Sequence, residues 1–194
     1  SVSHVRISET QPDEITRETW IVDTRAEDTF KQGHLPHSVN IMEGEKFETW
    51  LGTIIRPDES FYLAAGSSDQ LVRMIRRSAS IGYESLIKGA FVINEADEQN
   101  PVLDLDHFKA HKDDYTIIDV RNRSEVEEKK LFENSISIPL PDLRNRINEI
   151  PTSKPIVIHC AGGYRSAAAS SLIASETGSP APVYDLGEAV KQFT

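Results

Sequence analysis

The chain repeats itself. Trp20-Ile21-Val22-Asp23-Thr24-Arg25 returns as Thr116-Ile117-Ile118-Asp119-Val120-Arg121, so Asp23 and Asp119 stand 96 residues apart. Ser38-Val39-Asn40-Ile41 returns as Ser135-Ile136-Ser137-Ile138, one residue further along. Phe61-Tyr62-Leu63-Ala64-Ala65-Gly66 returns as Val157-Ile158-His159-Cys160-Ala161-Gly162 at 96, and Gly82 pairs with Gly178 at the same offset. Four matches in chain order at nearly one spacing define two copies of one unit of about 95 residues. A chain of 194 residues is long enough for two small domains with cores of their own. The expected boundaries are 1–98 and 99–194, with the polar, acidic Asn94-Glu95-Ala96-Asp97-Glu98-Gln99-Asn100-Pro101 as linker.

Apolar Ile/Val runs alternate with helical patterns, which places the chain in the α/β class with parallel sheets. In the first copy, strands are expected at 19–24, 38–42, 60–65 and 85–88, with a helix over 67–81. In the second, strands are expected at 115–119, 135–138, 155–159 and 182–185, with helices over 104–111, 141–149 and 165–176.

The only cysteine, Cys160, ends the run Ile156-Val157-Ile158-His159 and is followed by Ala161-Gly162-Gly163-Tyr164-Arg165-Ser166. A buried strand, a glycine loop and a helix start therefore follow one another around one sulfur. This order aims backbone N–H groups and the positive end of a helix dipole at the thiol. With Arg165 close in sequence, the setting favours a thiolate and the holding of an attached anion. The competing reading of a lone cysteine is a small buried hydrophobe. Packing does not require two glycines and an arginine at this spacing, and strand C-termini are where open α/β sheets place their sites.

Four residues separate Cys160 from Arg165. A phosphatase loop of the Cys…Arg kind has five, enough to ring a tetrahedral phosphate; the shorter loop makes a narrower bowl, suited to a single sulfur atom. At Cys160, Gly163 and Arg165 the sequence resembles the Cys-x-x-Gly-x-Arg loop of the rhodanese family. Asp23-Thr24-Arg25 with Gly33-His34-Leu35-Pro36-His37-Ser38-Val39-Asn40-Ile41 resembles that family's domain opening. The second copy keeps Asp119-Val120-Arg121 and Glu125, but has Lys129-Lys130-Leu131 in place of Gly-His-Ile. The resemblance covers essentially the whole chain. It implies two tandem rhodanese-like domains, each a small parallel sheet flanked by helices.

The resemblance implies a sulfurtransferase, with thiosulfate or a persulfide as donor and a thiol or cyanide as acceptor. Cys160 would be the nucleophile and carry a persulfide. Ala161, Gly162, Gly163, Tyr164, Arg165 and Ser166 would bind the donor, Arg165 steering an anion. No cofactor and no metal are implied. Repeat register puts Ala64 opposite Cys160 and Asp69 opposite Arg165, so the first copy is expected to be a degenerate, inactive domain. Such pairs are similar to the C-terminal part of fusions with a metallo-β-lactamase-type persulfide dioxygenase, which implies such a domain upstream. The start at Ser1 rather than Met fits a piece of a longer chain.

A net charge of −10 argues against nucleic acid and anionic membrane surfaces as partners. The expected partners are a small sulfur-containing anion and a thiol acceptor. One cysteine rules out an internal disulfide framework and suits a reducing, cytoplasmic location. His107 and His111 have metal-ligand spacing but no third ligand in view. His34 and His37 read as packing residues in a turn. His159 is expected to point away from Cys160 across the sheet, in a buried, hydrogen-bonded role. Asp119 and Arg121 read as framework, with Arg121 able to pair with Glu125. Two other readings stay open: a Cys-dependent phosphatase or arsenate reductase, and a non-catalytic docking module of a larger protein.

Overall fold

The computed structural model describes residues 5–8, 15, 18–94 and 96–194. The chain divides into two units, Ser1–Gln99 and Asn100–Thr194. The first runs β1 Ile7–Ser8, β2 Trp20–Asp23, α1 Glu27–Gln32, β3 Ser38–Asn40, α2 Phe47–Ile54, β4 Phe61–Ala65, α3 Ser68–Ser80 and β5 Ile87–Val92. Its strands form one parallel sheet in the order β1-β5-β4-β2-β3. The central strands are apolar on both faces, so both faces need cover. Helix α3 supplies it with Leu71, Met74, Ile75 and Ser78 buried along one stripe, the spacing of a core-facing helix face. Helix α2 does the same with Phe47, Leu51 and Ile54.

The second unit runs α4 Leu105–Ala110, β6 Thr116–Asp119, α5 Arg123–Glu128, β7 Ile136–Ser137, α6 Leu143–Arg146, β8 Ile156–His159, α7 Tyr164–Thr177 and β9 Val183–Asp185. Its parallel sheet has the order β7-β6-β8-β9. On one face, Val157 of β8 packs with Phe108, Ile117, Phe132, Leu186 and Val190. Small residues dominate the buried side of α7, from Ser166 through Ser171. The buried hydroxyls of Ser170 and Ser171 are satisfied by the carbonyls of Ala167 and Ala168, as buried polar groups must be.

Several expected elements differ. The helix expected over 141–149 is three short pieces: a 3₁₀ turn at Leu140–Asp142, α6, and a 3₁₀ turn at Ile147–Glu149. The strand expected at 85–88 begins later: Glu84–Leu86 is a 3₁₀ turn and β5 extends to Val92. The segment expected as linker is partly bound to the first unit. His34 and Glu98 exchange backbone hydrogen bonds at 2.8 and 3.2 Å. The Ala96 carbonyl lies where a Cβ on Gly33 would come within 2.5 Å of it. Glycine at position 33 is thus a close-approach requirement.

The repeat reappears in atomic detail. Asp23 holds Arg25 through Nε at 3.0 Å and Nη2 at 2.7 Å, and Nη2 also donates to the Gly33 carbonyl at 2.7 Å. Asp119 holds Arg121 at the same two distances, and its Nη2 donates to the Lys129 carbonyl at 3.0 Å. Only the backbone of residue 33 or 129 serves this contact, so the exposed Lys129 can replace glycine in the second unit. The arginine expected to reach Glu125 is therefore committed to Asp119. That correction follows from reach: residues two apart at a strand end close a bidentate pair locally.

Candidate active site

Strand register corrects the sequence alignment of the two loops. Asp23 lies beside Ala64, whereas Asp119 lies beside His159. The residue opposite Cys160 is therefore Ala65, not Ala64. Helices α3 and α7 return to the 96-residue offset, with Ser67 and Gly163 as their N-caps, so Asp69 remains opposite Arg165. The second loop is one residue longer than the first, a difference that a constant offset conceals.

The extra residue changes how the helix begins. In α3, the Ser67 hydroxyl accepts the backbone N–H of Gln70 at 3.2 Å, an ordinary N-cap. In α7 the N-cap is Gly163, at φ +110°, a left-handed conformation that favours glycine. It has no side chain to offer. The equivalent N–H, on Ser166, donates instead to Cys160 Sγ at 3.4 Å, and the Gly163 N–H donates to the same sulfur at 3.1 Å. Sulfur has taken the place of the capping oxygen.

Cys160 is 1% exposed. The Ser166 hydroxyl lies 3.6 Å from Sγ, placed to accept the thiol proton, and donates to the Gly163 carbonyl at 3.2 Å. Ala161 and Gly162 form the exposed crown of the loop. A Cβ on Gly162 would meet nothing within 4 Å, so the space above this part of the loop is open. Tyr164 and Arg165 are half-buried in the first turn of α7. The structure thus brings Gly163 and Ser166 directly onto the sulfur.

Arg165 is held from the side. Its Nη1 and Nη2 donate to Glu125 Oε2 and Oε1 at 2.6 and 2.9 Å, a fork-to-fork pair. Glu125 also accepts the Asn122 N–H at 3.0 Å at the start of α5. The Arg165 hydrogen bonds, against a smaller opposing effect of burial, draw the Glu125 carboxyl down to about 2. Arg165 is shifted upward, mainly by those same bonds and to a smaller extent by its attraction to Cys160. Glu125 is thus the partner of Arg165, not of Arg121 as the sequence suggested. The Asn122-to-Glu125 spacing signals a helix start, but nothing local announces a partner forty residues away.

His159 behaves as its strand position requires. It faces the aromatic side, with its ring 4.9 Å from Phe132, while Cys160 faces α7. Nδ1 lies 3.4 Å from the Cys160 carbonyl and Nε2 lies 3.5 Å from Asp119 Oδ2. Burial pushes its pKa below the ordinary 6.5 despite the attraction of Asp119, so the imidazole is neutral and the contact is no ion pair. His34, stacked on Phe30, is shifted in the same direction by burial.

Both histidines bind protons less readily folded than unfolded. Their contribution to stability is complete above about pH 6.5 and declines as pH falls below it toward the lowered folded values. Urea midpoints of the protein are expected to fall from about pH 7 to pH 5, and H159Q is expected to flatten part of that slope. An unchanged slope would contradict the neutral assignment.

The first unit's loop is filled. Gln70 Oε1 accepts the Gly66 N–H at 3.0 Å, and its Nε2 donates to the Thr24 carbonyl at 3.0 Å. Gln70 stands where Ser166 stands in the second unit. Among the described residues, no group of three His, Cys, Asp or Glu side chains could hold a metal. The rings of His107 and His111 lie 4.6 Å apart, tilted to one another, and His107 Nδ1 is engaged by the Tyr115 hydroxyl at 2.9 Å. No helix of the described residues is long and apolar enough to cross a membrane.

A strand-ending cysteine beneath a glycine loop, on a duplicated parallel α/β unit, defines the class. The Rhodanese-like domain model matches residues 8–92 and 104–194, and the chain belongs to that family. Reduced CoADR-RHD of Bacillus anthracis matches at 30% identity and a TM-score of 0.38, over 46% of this chain and 15% of that one. Thiosulfate sulfurtransferase from Pseudomonas aeruginosa matches at 19% identity and 0.36, over 89% and 38%. SseA from Escherichia coli, described for 3-mercaptopyruvate sulfotransferases, matches at 14% identity and 0.36, over 87% and 91%. The chain thus spans well under two thirds of the first two. No curated protein matches it.

Proposed function

We propose that the chain is a sulfurtransferase working through a persulfide on Cys160. The observation that carries this reading is the pair of N–H groups, from Gly163 and Ser166, directed at a buried sulfur beneath an open crown. Cys160, as thiolate, attacks the outer sulfur of thiosulfate or a persulfide; the S–S bond of the donor breaks and sulfite or a thiolate leaves. A thiol or cyanide then removes the bound sulfur. The leaving groups are stable anions, so donors fixed in place suffice. A reducing, cytoplasmic compartment suits the free thiol. The partners are a small sulfur compound and a thiol acceptor.

The test is a direct comparison of turnover. Sulfur transfer to a thiol is expected from thiosulfate or an alkyl persulfide, with hydrolysis of an aryl phosphate at background. Faster phosphate hydrolysis would replace this reading with the phosphatase one.

The first unit is proposed to be silent. Ala65 stands opposite the nucleophile, Asp69 opposite the arginine, and Gln70 fills the loop. A65C introduced into the C160S protein is expected to restore no sulfur transfer; measurable turnover would show a competent second site. The filled loop favours a docking or channelling role for this unit, as in a larger chain with an upstream metallo-β-lactamase-type persulfide dioxygenase.

A further inference from the structure

Arg165 is the cation of the Cys160 loop, yet its charge is already spent on a neighbour. Both terminal nitrogens are engaged by Glu125 at 2.6 and 2.9 Å. That carboxylate stays ionised down to about pH 2, so throughout the neutral range the pair carries no net charge. The remaining loop residues, Ala161, Gly162, Gly163, Tyr164 and Ser166, are uncharged. Attraction for an incoming anion is then left to the backbone N–H groups and the helix N-terminus, whose equivalent charge is only a fraction of one unit. The chain as a whole carries −10, which opposes the approach of any anion at long range.

We propose that Glu125 determines donor specificity at Cys160: by neutralising Arg165 it selects an alkyl persulfide over a dianion such as thiosulfate. This rests on the sulfur-transfer reading and adds the identity of the donor to it. Discrimination is achieved by withholding a countercharge that the doubly charged donor needs more than the persulfide does. The step balances without an oxidant or reductant. The Cys160 thiolate attacks the outer sulfur of R–S–SH, a new S–S bond forms to Cys160, and the donor's S–S bond, between the RS sulfur and the outer sulfur, breaks. Its electron pair leaves on RS⁻, and the outer sulfur keeps its proton. Attack on thiosulfate would instead bring a dianion against an anionic sulfur and expel sulfite as a second dianion.

The test compares E125Q with wild type, because glutamine keeps an oxygen for the Asn122 N–H and for Arg165 while removing the charge. Sodium thiosulfate and the persulfide of 2-mercaptoethanol, whose organic part is uncharged, serve as donors. The readout is the second-order rate of sulfur uptake on the intact protein, followed by mass. The ratio of the thiosulfate rate to the persulfide rate is expected to rise about tenfold or more in E125Q, as a desolvated countercharge is freed. It should rise again at low ionic strength, where charge steering is strongest. A ratio unchanged while both rates fall would reduce Glu125 to a brace for the loop and overturn the proposal. E125D, which retains the charge, should keep the wild-type ratio; a rise there equal to that in E125Q would also overturn it. Failure of wild type to take up sulfur from either donor would instead remove the sulfur-transfer reading, and the specificity proposal with it.

Discussion

Serine in place of Cys160 is expected to reduce sulfur transfer to background, a loss of at least about a thousandfold. The hydroxyl is a far poorer nucleophile toward sulfur and is not ionised by two backbone donors. The fold should survive, because a serine oxygen still accepts the N–H groups of Gly163 and Ser166 that Sγ accepts now. Ser67 shows the same partnership at the start of α3, where its hydroxyl takes the N–H of Gln70. An unchanged urea midpoint together with lost transfer is the expected result. Residual turnover above about a tenth of wild type would remove Cys160 from the reaction.

The largest expected loss of stability follows from D119A. Arg121 is 6% exposed, and Asp119 is fully buried. The carboxylate takes Nε, Nη2 and the backbone N–H of Arg121, at 3.0, 2.7 and 3.1 Å. Truncation leaves a buried guanidinium with the Lys129 carbonyl as its remaining contact. Breaking one side of a buried pair costs about 3–5 kcal/mol, enough to unfold much of a small domain. D23A should do the same to the first unit, since Asp23 and Arg25 repeat the geometry. The two substitutions report on separate units, so each should shift one denaturation transition and spare the other. A loss below about 1 kcal/mol would place these pairs among ordinary surface ion pairs.

The architecture was legible because duplication and Ile/Val strands are written in residue order. Asp23 and Asp119, Gly82 and Gly178 recur at one spacing, and both glycines lie at positive φ, at +80° and +55°. Burial of His159 away from Cys160 was also legible, since side chains of a strand alternate. The short helices α1, α2 and α5, at six to eight residues, were not anticipated: stretches so short hold their shape through tertiary packing rather than propensity. The loop alignment failed by one residue at Ala65, because an insertion within a loop leaves the flanking spacings almost intact. Pairing of Glu125 with Arg165 was hidden for another reason. Asp119 lies two residues from Arg121 and captures it first, so the free carboxylate is found by the fold and not by the sequence.

Intact-protein mass spectrometry after exposure to a sulfur donor, followed by its removal, reads the reaction at its defining step. Wild type should gain the mass of one sulfur atom, located on the peptide that carries Cys160. The gain should disappear on adding a thiol acceptor, and C160S should show none. Turnover by wild type with no sulfur adduct under any donor, or a stable adduct on C160S, would contradict persulfide transfer through Cys160.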